Sequence, residues 1–333
     1  MAMNDDVEAK RLGEKLLLDV QVEGLSSILS SLRELDAEGN ASTTKTPFGI
    51  PELDALTSSS SPAILELISP PSTHHPSGAG KTSLLYLIIA HAILPPSFPS
   101  IPHLNGHDAA IILLDPLHHF SVPRLATTIL SLLTSHLPAP VDPDTKSALT
   151  TLTARCLAHV HIFHPTSWPS LLATLRALPT YLFTAPHPSA HRRIHSLLLD
   201  DADAFTASLR AAPAMSSTTG PLTAASRALT AEVARLAALL SCNAVLTASA
   251  AAPSGFRALV PVAWPPGQEV VRVAVRRVGV PRFAAGMGVQ AAEAERGQRW
   301  DVVRRGRFEC WRVGGEGRGD GFVFRVGREG GGG

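Results

Sequence analysis

Three cysteines in 333 residues, Cys156, Cys242 and Cys310, are too few and too far apart for a disulfide framework or a zinc spacing. They imply a reducing compartment. Aromatic residues make up only 5% of the chain, so the core has to be built from the Leu, Val, Ile and Ala within the 45% that is hydrophobic. No apolar run is long enough to cross a bilayer: the longest nearly unbroken one, Leu84 to Leu94, already contains His91. The opening MAMNDDVEAKRLGEK is charged and lacks the apolar core of a signal peptide. A soluble intracellular protein without a membrane partner is the expectation. No G-x-S-x-G nucleophile elbow occurs, so a hydrolase triad has no support. The pairs His74/His75, His118/His119 and His159/His161 come without Cys or carboxylate at metal spacing and read as polar loop or strand-edge positions. There is no internal repeat.

Net charge is +1, but it is unevenly spread. From 256 to 333 there are fourteen Arg, no Lys and eight acidic residues, a local charge of +6, while the remainder carries −5. That asymmetry is compatible with a polyanion-facing C-terminal end, or with a composition that simply favours Arg, Gly, Ala and Pro.

Hydrophobic periodicity divides the chain into 1–46, an N-terminal helix over 7–35 with a polar linker; 47–252, a core; 253–328, C-terminal strands; and 329–333, a disordered tail. In the core, PAILELIS, AAIILLD, HVHIF, IHSLLLDD and NAVLTAS read as buried strands. Between them stand helices: Thr82 to Leu94, apolar on nearly every face; SVPRLATTILSLLTSHL, capped by Ser121; SWPSLLATLRAL, with the same Ser-x-Pro opening; and 222–240, with a single apolar stripe. Alternation of this kind predicts an α/β fold, a mostly parallel sheet covered by helices on both faces. In VVRVAVRRVGV, Val271, Val273 and Val275 alternate with Arg272, Ala274 and Arg276, the period of a half-exposed strand. With FECWRV and GFVFRV it reads as antiparallel strands finishing the sheet. AAPAMSSTTGPLTAAS and ASAAAPSG are low-complexity loops.

The chemistry concentrates in PPSTHHPSGAGKTSLLY. Gly78, Ala79, Gly80, Lys81, Thr82 and Ser83 stand between a strand and a helix. Glycines let backbone N–H groups close around phosphate oxygens, a Lys ammonium reaches the β- and γ-phosphates, and a Thr hydroxyl ligates magnesium. The pattern G-x-x-x-x-G-K-[ST] fails at its first position, which is His75, or Ser69 if THHPSG is an insertion. Asp200 ends an apolar strand, where P-loop proteins place the carboxylate of the magnesium shell.

The order of these segments resembles the RecA-like strand-exchange family, and within it the eukaryotic recombinase-paralogue branch. FGIPELDAL, ILELISPPSTHHPSGAGKTSLLYLIIAHAILP, AIILLDPLHHFSVPRLATTIL, RCLAHVHIFHPTSWPSLLATL and HSLLLDDADAF carry the likeness. It covers about residues 12–280 as an ordering of elements and is motif-specific from 48 to 205. It implies a RecA-like P-loop ATPase core, ATP and magnesium held by Lys81, Thr82 and Asp200, a nuclear location and a role in homologous-recombination repair. The implied partners are other recombinase paralogues and single-stranded or branched DNA. Two departures bear on turnover. Active members end the second core strand in Asp-Thr-Glu, and the Glu positions the attacking water; here Asp115-Pro116-Leu117 aligns, and Leu117 cannot do so. The γ-phosphate-sensing Gln of the family is Ser or Ala at the end of NAVLTAS. The expectation is nucleotide binding, weak or complex-dependent, with little hydrolysis. Arg272, Arg276 and Arg277 are the candidate contacts to DNA or a partner. The rival readings are an active DNA-stimulated ATPase, which would need a carboxylate from elsewhere, and a small-molecule P-loop kinase, which would need an Arg-bearing lid.

Overall fold

Strands that are apolar at every position need cover on both faces, and the chain provides it. The structure, a computed structural model, describes residues 47–57, 63–70, 80–184, 186–211, 220–252, 256–278, 284, 286–304, 306–314 and 321–326. The helix expected over 7–35, its linker, His75, Gly78, Ala79 and the tail lie outside them.

In chain order the elements are α1 (Pro51–Thr57), β1 (Ile64–Ser69), α2 (Lys81–Ile93), β2 (Ala110–Leu114), α3 (Val122–Ser135), α4 (Pro143–Leu157), β3 (Val160–Phe163), α5 (Trp168–Thr184), β4 (Ile194–Leu199), α6 (Thr206–Ala211), α7 (Pro221–Leu240), β5 (Asn243–Ser249), β6 (Val270–Arg277), α8 (Val289–Arg304), β7 (Arg307–Arg312) and β8 (Gly321–Arg325). The strands form one sheet in the order β3-β2-β4-β5-β1-β6-β7-β8. From β3 to β6 every pairing is parallel, and β7 and β8 close the sheet with antiparallel pairings.

Alternation along the strands sends their side chains into two cores. Leu65, Leu67, Val271, Val273 and Val275 pack with α2, α3 and α4 on one face. Ile64, Leu114, Leu197, Leu199 and Leu246 pack with α5 and α7 on the other. The stripe of α7 is realised as buried Leu229, Val233, Leu236 and Leu240. Each side chain of this kind contributes roughly 1.5–3 kcal/mol when fully buried. Ser121 caps α3 by accepting from the Arg124 amide, and Ser167 likewise accepts from Ser170 N at the start of α5.

Four features differ from the sequence expectation. β6 runs parallel to β1, with Val271 opposite Leu65 and Val273 opposite Leu67, so only β7 and β8 are antiparallel additions. α5 continues past Leu178 through Pro179, because Leu178 and Leu182, one turn apart, both bury in the same core. α4 and α8 were not expected. α4 is Thr-rich with only a narrow apolar seam of Leu149, Leu152 and Cys156. α8 interrupts the supposed strand region and is laced by Glu293–Arg296 and Glu295–Arg299 ion pairs.

Candidate functional site

In a parallel sheet the carboxyl ends of the strands share one edge, and the loops leaving them face one another. Here that edge brings together Ser69 from β1, Asp115 from β2, Asp200 to Asp203 after β4, Thr247 and Ser249 from β5, and the first turn of α2.

Gly80 is the N-cap of α2, with φ 98° and no side-chain cap. An added Cβ there would lie 2.2 Å from Phe308 Cδ1, so a side chain is excluded both by backbone conformation and by β7 packed against the turn. The first turn of α2 carries no acidic residue, which leaves the positive end of the helix uncompensated within its own turn. Lys81 Nζ donates to Ser69 Oγ at 3.2 Å and pairs with Asp201 Oδ1 at 3.3 Å. Thr82 Oγ1 donates to Asp200 Oδ2 at 2.8 Å.

Asp200 is buried at the centre of this set. Its second oxygen accepts from Thr247 Oγ1 at 2.6 Å, and the same hydroxyl accepts from the Asp201 amide at 2.7 Å. Burial, and then the neighbouring Asp201, push Asp200 up to about 6, against the hydrogen bonds from Thr247 and Thr82 and the Lys81 charge. Asp203 is also raised by burial, and it accepts from the Ser249 amide at 3.0 Å. Asp201 stands in left-handed backbone, φ 63°, with its other oxygen 2.8 Å from His119 Nδ1. A Lys ammonium, a Thr hydroxyl, an adjacent carboxylate and a helix N-terminus are the groups that a phosphate with a divalent cation requires. The described residues fit that pair.

The structure brings Lys81, Thr82 and Asp200 together as the sequence reading placed them. Leu117 is 43% exposed on the turn after β2. Asp115, two residues before it, is buried, and its carboxylate accepts from His119 N at 3.0 Å and Phe120 N at 2.9 Å and so shapes the turn. Ser83 accepts from Arg124 Nη2 at 3.1 Å, and the Arg124 guanidinium lies over the Tyr86 ring. Arg277 shares the neighbourhood of Arg124, and its guanidinium lies over Phe308. It therefore belongs to the α2 side of the sheet, away from Arg272 and Arg276.

Arg272 and Arg276 do share the opposite face, but each is bonded to a cross-strand carboxylate. Arg272 Nε donates to Glu66 at 2.7 Å, and Arg276 Nε donates to Glu309 while its guanidinium stacks over Trp311. The sequence reading passed over Arg307 and Arg325, which are exposed, directly opposite each other on β7 and β8, and free of ion pairs among the described residues. Arg307 just before FECWRV and Arg325 near the end of GFVFRV, at mirrored ends of two alternating segments joined by a Gly-rich sequence, were the available signal. It also passed over Asp201 and Thr247, whose roles come from strands 46 residues apart in sequence. Of the His pairs, His119 meets Asp201 at the site, and the other described members make their contacts elsewhere. His159 and His161 share the Ser189 hydroxyl at 3.0 and 2.7 Å, and His118 stacks on His164. Among the described residues no group of three or more His, Cys, Asp or Glu is arranged to hold a metal ion, and no helix is long and apolar enough to cross a membrane.

Comparison with protein-family models and with curated proteins finds no match for this chain.

Proposed function

We propose that this chain is a RecA-like P-loop protein of the recombinase-paralogue type, acting in the nucleus in DNA repair by homologous recombination. In this reading it is a mediator. It assembles with other paralogues, supports recombinase filaments on single-stranded DNA, and binds ATP with magnesium while hydrolysing little. The observation that carries the reading is the meeting of Lys81 and Thr82, at the head of α2, with Asp200 across the carboxyl ends of β1, β5 and β4. β1, β2, β3 and β4 carry the segments whose sequence resembles the family, and with β5 between β4 and β1 they lie in one parallel sheet.

Lys81 would hold the β- and γ-phosphates, and Thr82 and Asp200 the magnesium. Held by Lys81, Thr82 and Asp200, a nucleotide would supply a charge-dense ligand to residues of α2 and the end of β4 and would stabilise the folded chain that a partner meets. Little turnover follows from the presence of Leu117: the end of β2 presents no exposed carboxylate to orient water, since Asp115 is buried and each of its oxygens accepts a backbone amide of the turn. A small-molecule kinase fits less well. Its lid arginines have to travel with a mobile segment, whereas the arginines beside α2, Arg124 and Arg277, are seated on α3 and β6 against Tyr86 and Phe308. For a DNA interface, Arg307 and Arg325 are better placed than Arg272 and Arg276, because among the described residues their charge meets no carboxylate.

The test is capture of the tagged full chain from native extract, followed by mass spectrometry. Recombinase paralogues as stoichiometric partners are the expected result. A complex of metabolic enzymes would overturn the reading.

A further inference from the structure

The ammonium of Lys81 has an internal anion beside it. Asp201 Oδ1 lies 3.3 Å from Nζ, both side chains are mostly buried, and the pair is far less screened than one on the surface. Three features fix Asp201 in that place. Its amide is held by Thr247 Oγ1 at 2.7 Å. Its backbone sits in the left-handed region, φ 63°, which turns its side chain away from the strand direction taken by Asp200. Its outer oxygen is 2.8 Å from His119 Nδ1. The Lys81 charge is felt by Asp200 and Asp203 as well, so three carboxylates share the influence of one lysine.

We infer that Asp201 is a built-in competitor for Lys81, so that a terminal phosphate binds only by exchanging with its carboxylate, and that this competition sets the low affinity and the metal requirement of the site. The inference rests on the nucleotide reading of the preceding section and deepens it. A phosphate and a carboxylate are both oxyanions, and a single ammonium cannot serve both fully. The incoming phosphate also meets the charge of the displaced Asp201. A divalent cation carried on the nucleotide relieves that repulsion at Lys81, whereas His119, the other neighbour of Asp201, meets its outer oxygen, 2.8 Å from Nδ1. Asp201 is thereby a determinant of specificity: it rejects metal-free polyphosphate, and it leaves ligands too short to reach the lysine unaffected.

Isothermal titration of the full chain with ATP, ADP and AMP, with and without magnesium, tests this in wild type, Asp201→Asn and Lys81→Ala. Asn keeps the side-chain size and the backbone bond to Thr247. Removing one charge-assisted interaction with a partly buried partner corresponds to roughly 10- to 100-fold. Asp201→Asn is therefore expected to bind magnesium-ATP tighter by about that factor, to bind metal-free ATP measurably, and to gain little for AMP. Unchanged or weaker ATP binding in Asp201→Asn would overturn the inference, and would make Asp201 a group that assists the ligand. Equal tightening for AMP and ATP would overturn it as a general loss of negative charge. If neither wild type nor Asp201→Asn binds while both fold, the nucleotide reading itself falls and takes this inference with it. Lys81→Ala, which removes both contestants' target, is expected to abolish the gain.

Discussion

Arg272→Ala should destabilise the fold, and the size of the effect separates a structural arginine from a DNA-binding one. Glu66 points from β1 into the second face of the sheet and is only 1% exposed. Its carboxylate has two partners, the Trp264 indole N–H and Arg272 Nε at 2.7 Å, and the register of β1 and β6 sets Glu66 directly opposite Arg272. Removing Arg272 leaves a buried carboxylate with one neutral donor. Breaking a fully buried pair costs about 3–5 kcal/mol, and breaking an exposed pair about 0.2–1 kcal/mol. Here one partner is buried and the other is 41% exposed, so solvent screens one side of the pair. A cost of about 2 kcal/mol lies between those limits. Replacing both residues, as Glu66→Leu with Arg272→Leu, should recover much of the loss, since no charge is left in the interior. Urea unfolding followed by far-ultraviolet circular dichroism gives the four corners of the double-mutant cycle. The functional consequence is direct. A fall in DNA affinity for Arg272→Ala would mix unfolding with weaker binding, whereas Arg307→Ala with Arg325→Ala should leave the stability within about 0.5 kcal/mol of wild type. That second pair should flatten the salt dependence of single-stranded DNA binding by about 0.7 in log–log slope for each phosphate no longer neutralised. An Arg272→Ala protein as stable as wild type would refute the reasoning about Glu66. An unchanged salt slope in the folded Arg307/Arg325 variant would move that surface from DNA to a protein partner.

Thr247→Val keeps the shape of β5 but removes the hydroxyl that donates to Asp200 and accepts from the Asp201 amide. A loss of about 1–3 kcal/mol in urea unfolding is expected, together with weaker nucleotide binding, and unchanged values for both would show the bridge to be incidental. His195 is held neutral, well below the ordinary range, by burial and then by the charges of His107 and Arg193. The unfolded chain takes up a proton that the native chain refuses, so stability is complete above the unfolded value of about 6.5 and falls as pH drops below it. Melting curves from pH 7.5 to 5.5 should show that loss, and a folded His195→Gln variant should show less of it; an equal loss would assign the acid sensitivity elsewhere. Phosphate release should stay near background with and without single-stranded DNA, since losing a catalytic base typically costs about 10²–10⁴ in rate. A robust DNA-stimulated rate that Lys81→Ala abolishes would contradict the role given to Leu117.

Local pattern carried the reading as far as local physics reaches. The α7 stripe, the Ser121 and Ser167 caps and the apolar strands are each decided by neighbours within a few residues, and each was legible. α4 was not, because its Thr residues blur the apolar period, although Asp142 followed by Pro143 is a helix-start signal and Asp142 does cap it. α8 was hidden by an expectation of strands. Its Glu and Arg three and four residues apart, around Gly297, spell a helix held by surface pairs. At the site, the convergence of Lys81, Thr82 and Asp200 was legible because each lies at the end or start of an element at the carboxyl edge of a strand–loop–helix unit. Asp201 was not: its approach to Lys81 depends on a left-handed backbone and on a threonine from another strand. Alternation placed Arg272 and Arg276 correctly on one face, but it could not reveal that Glu66, 206 residues away in sequence from Arg272, occupies one of them.

The central claim is that phosphate binds where Lys81, Thr82 and Asp200 meet at the carboxyl edge of the sheet. Equilibrium binding of a fluorescent magnesium-ATP analogue, to the full chain alone and to the complex captured with its partners, tests it most directly. The account predicts weak binding to the chain alone, tighter binding in the complex, and loss of both with Lys81→Ala in a folded protein. Binding that is indifferent to Lys81→Ala, or that is absent from chain and complex alike, would contradict it.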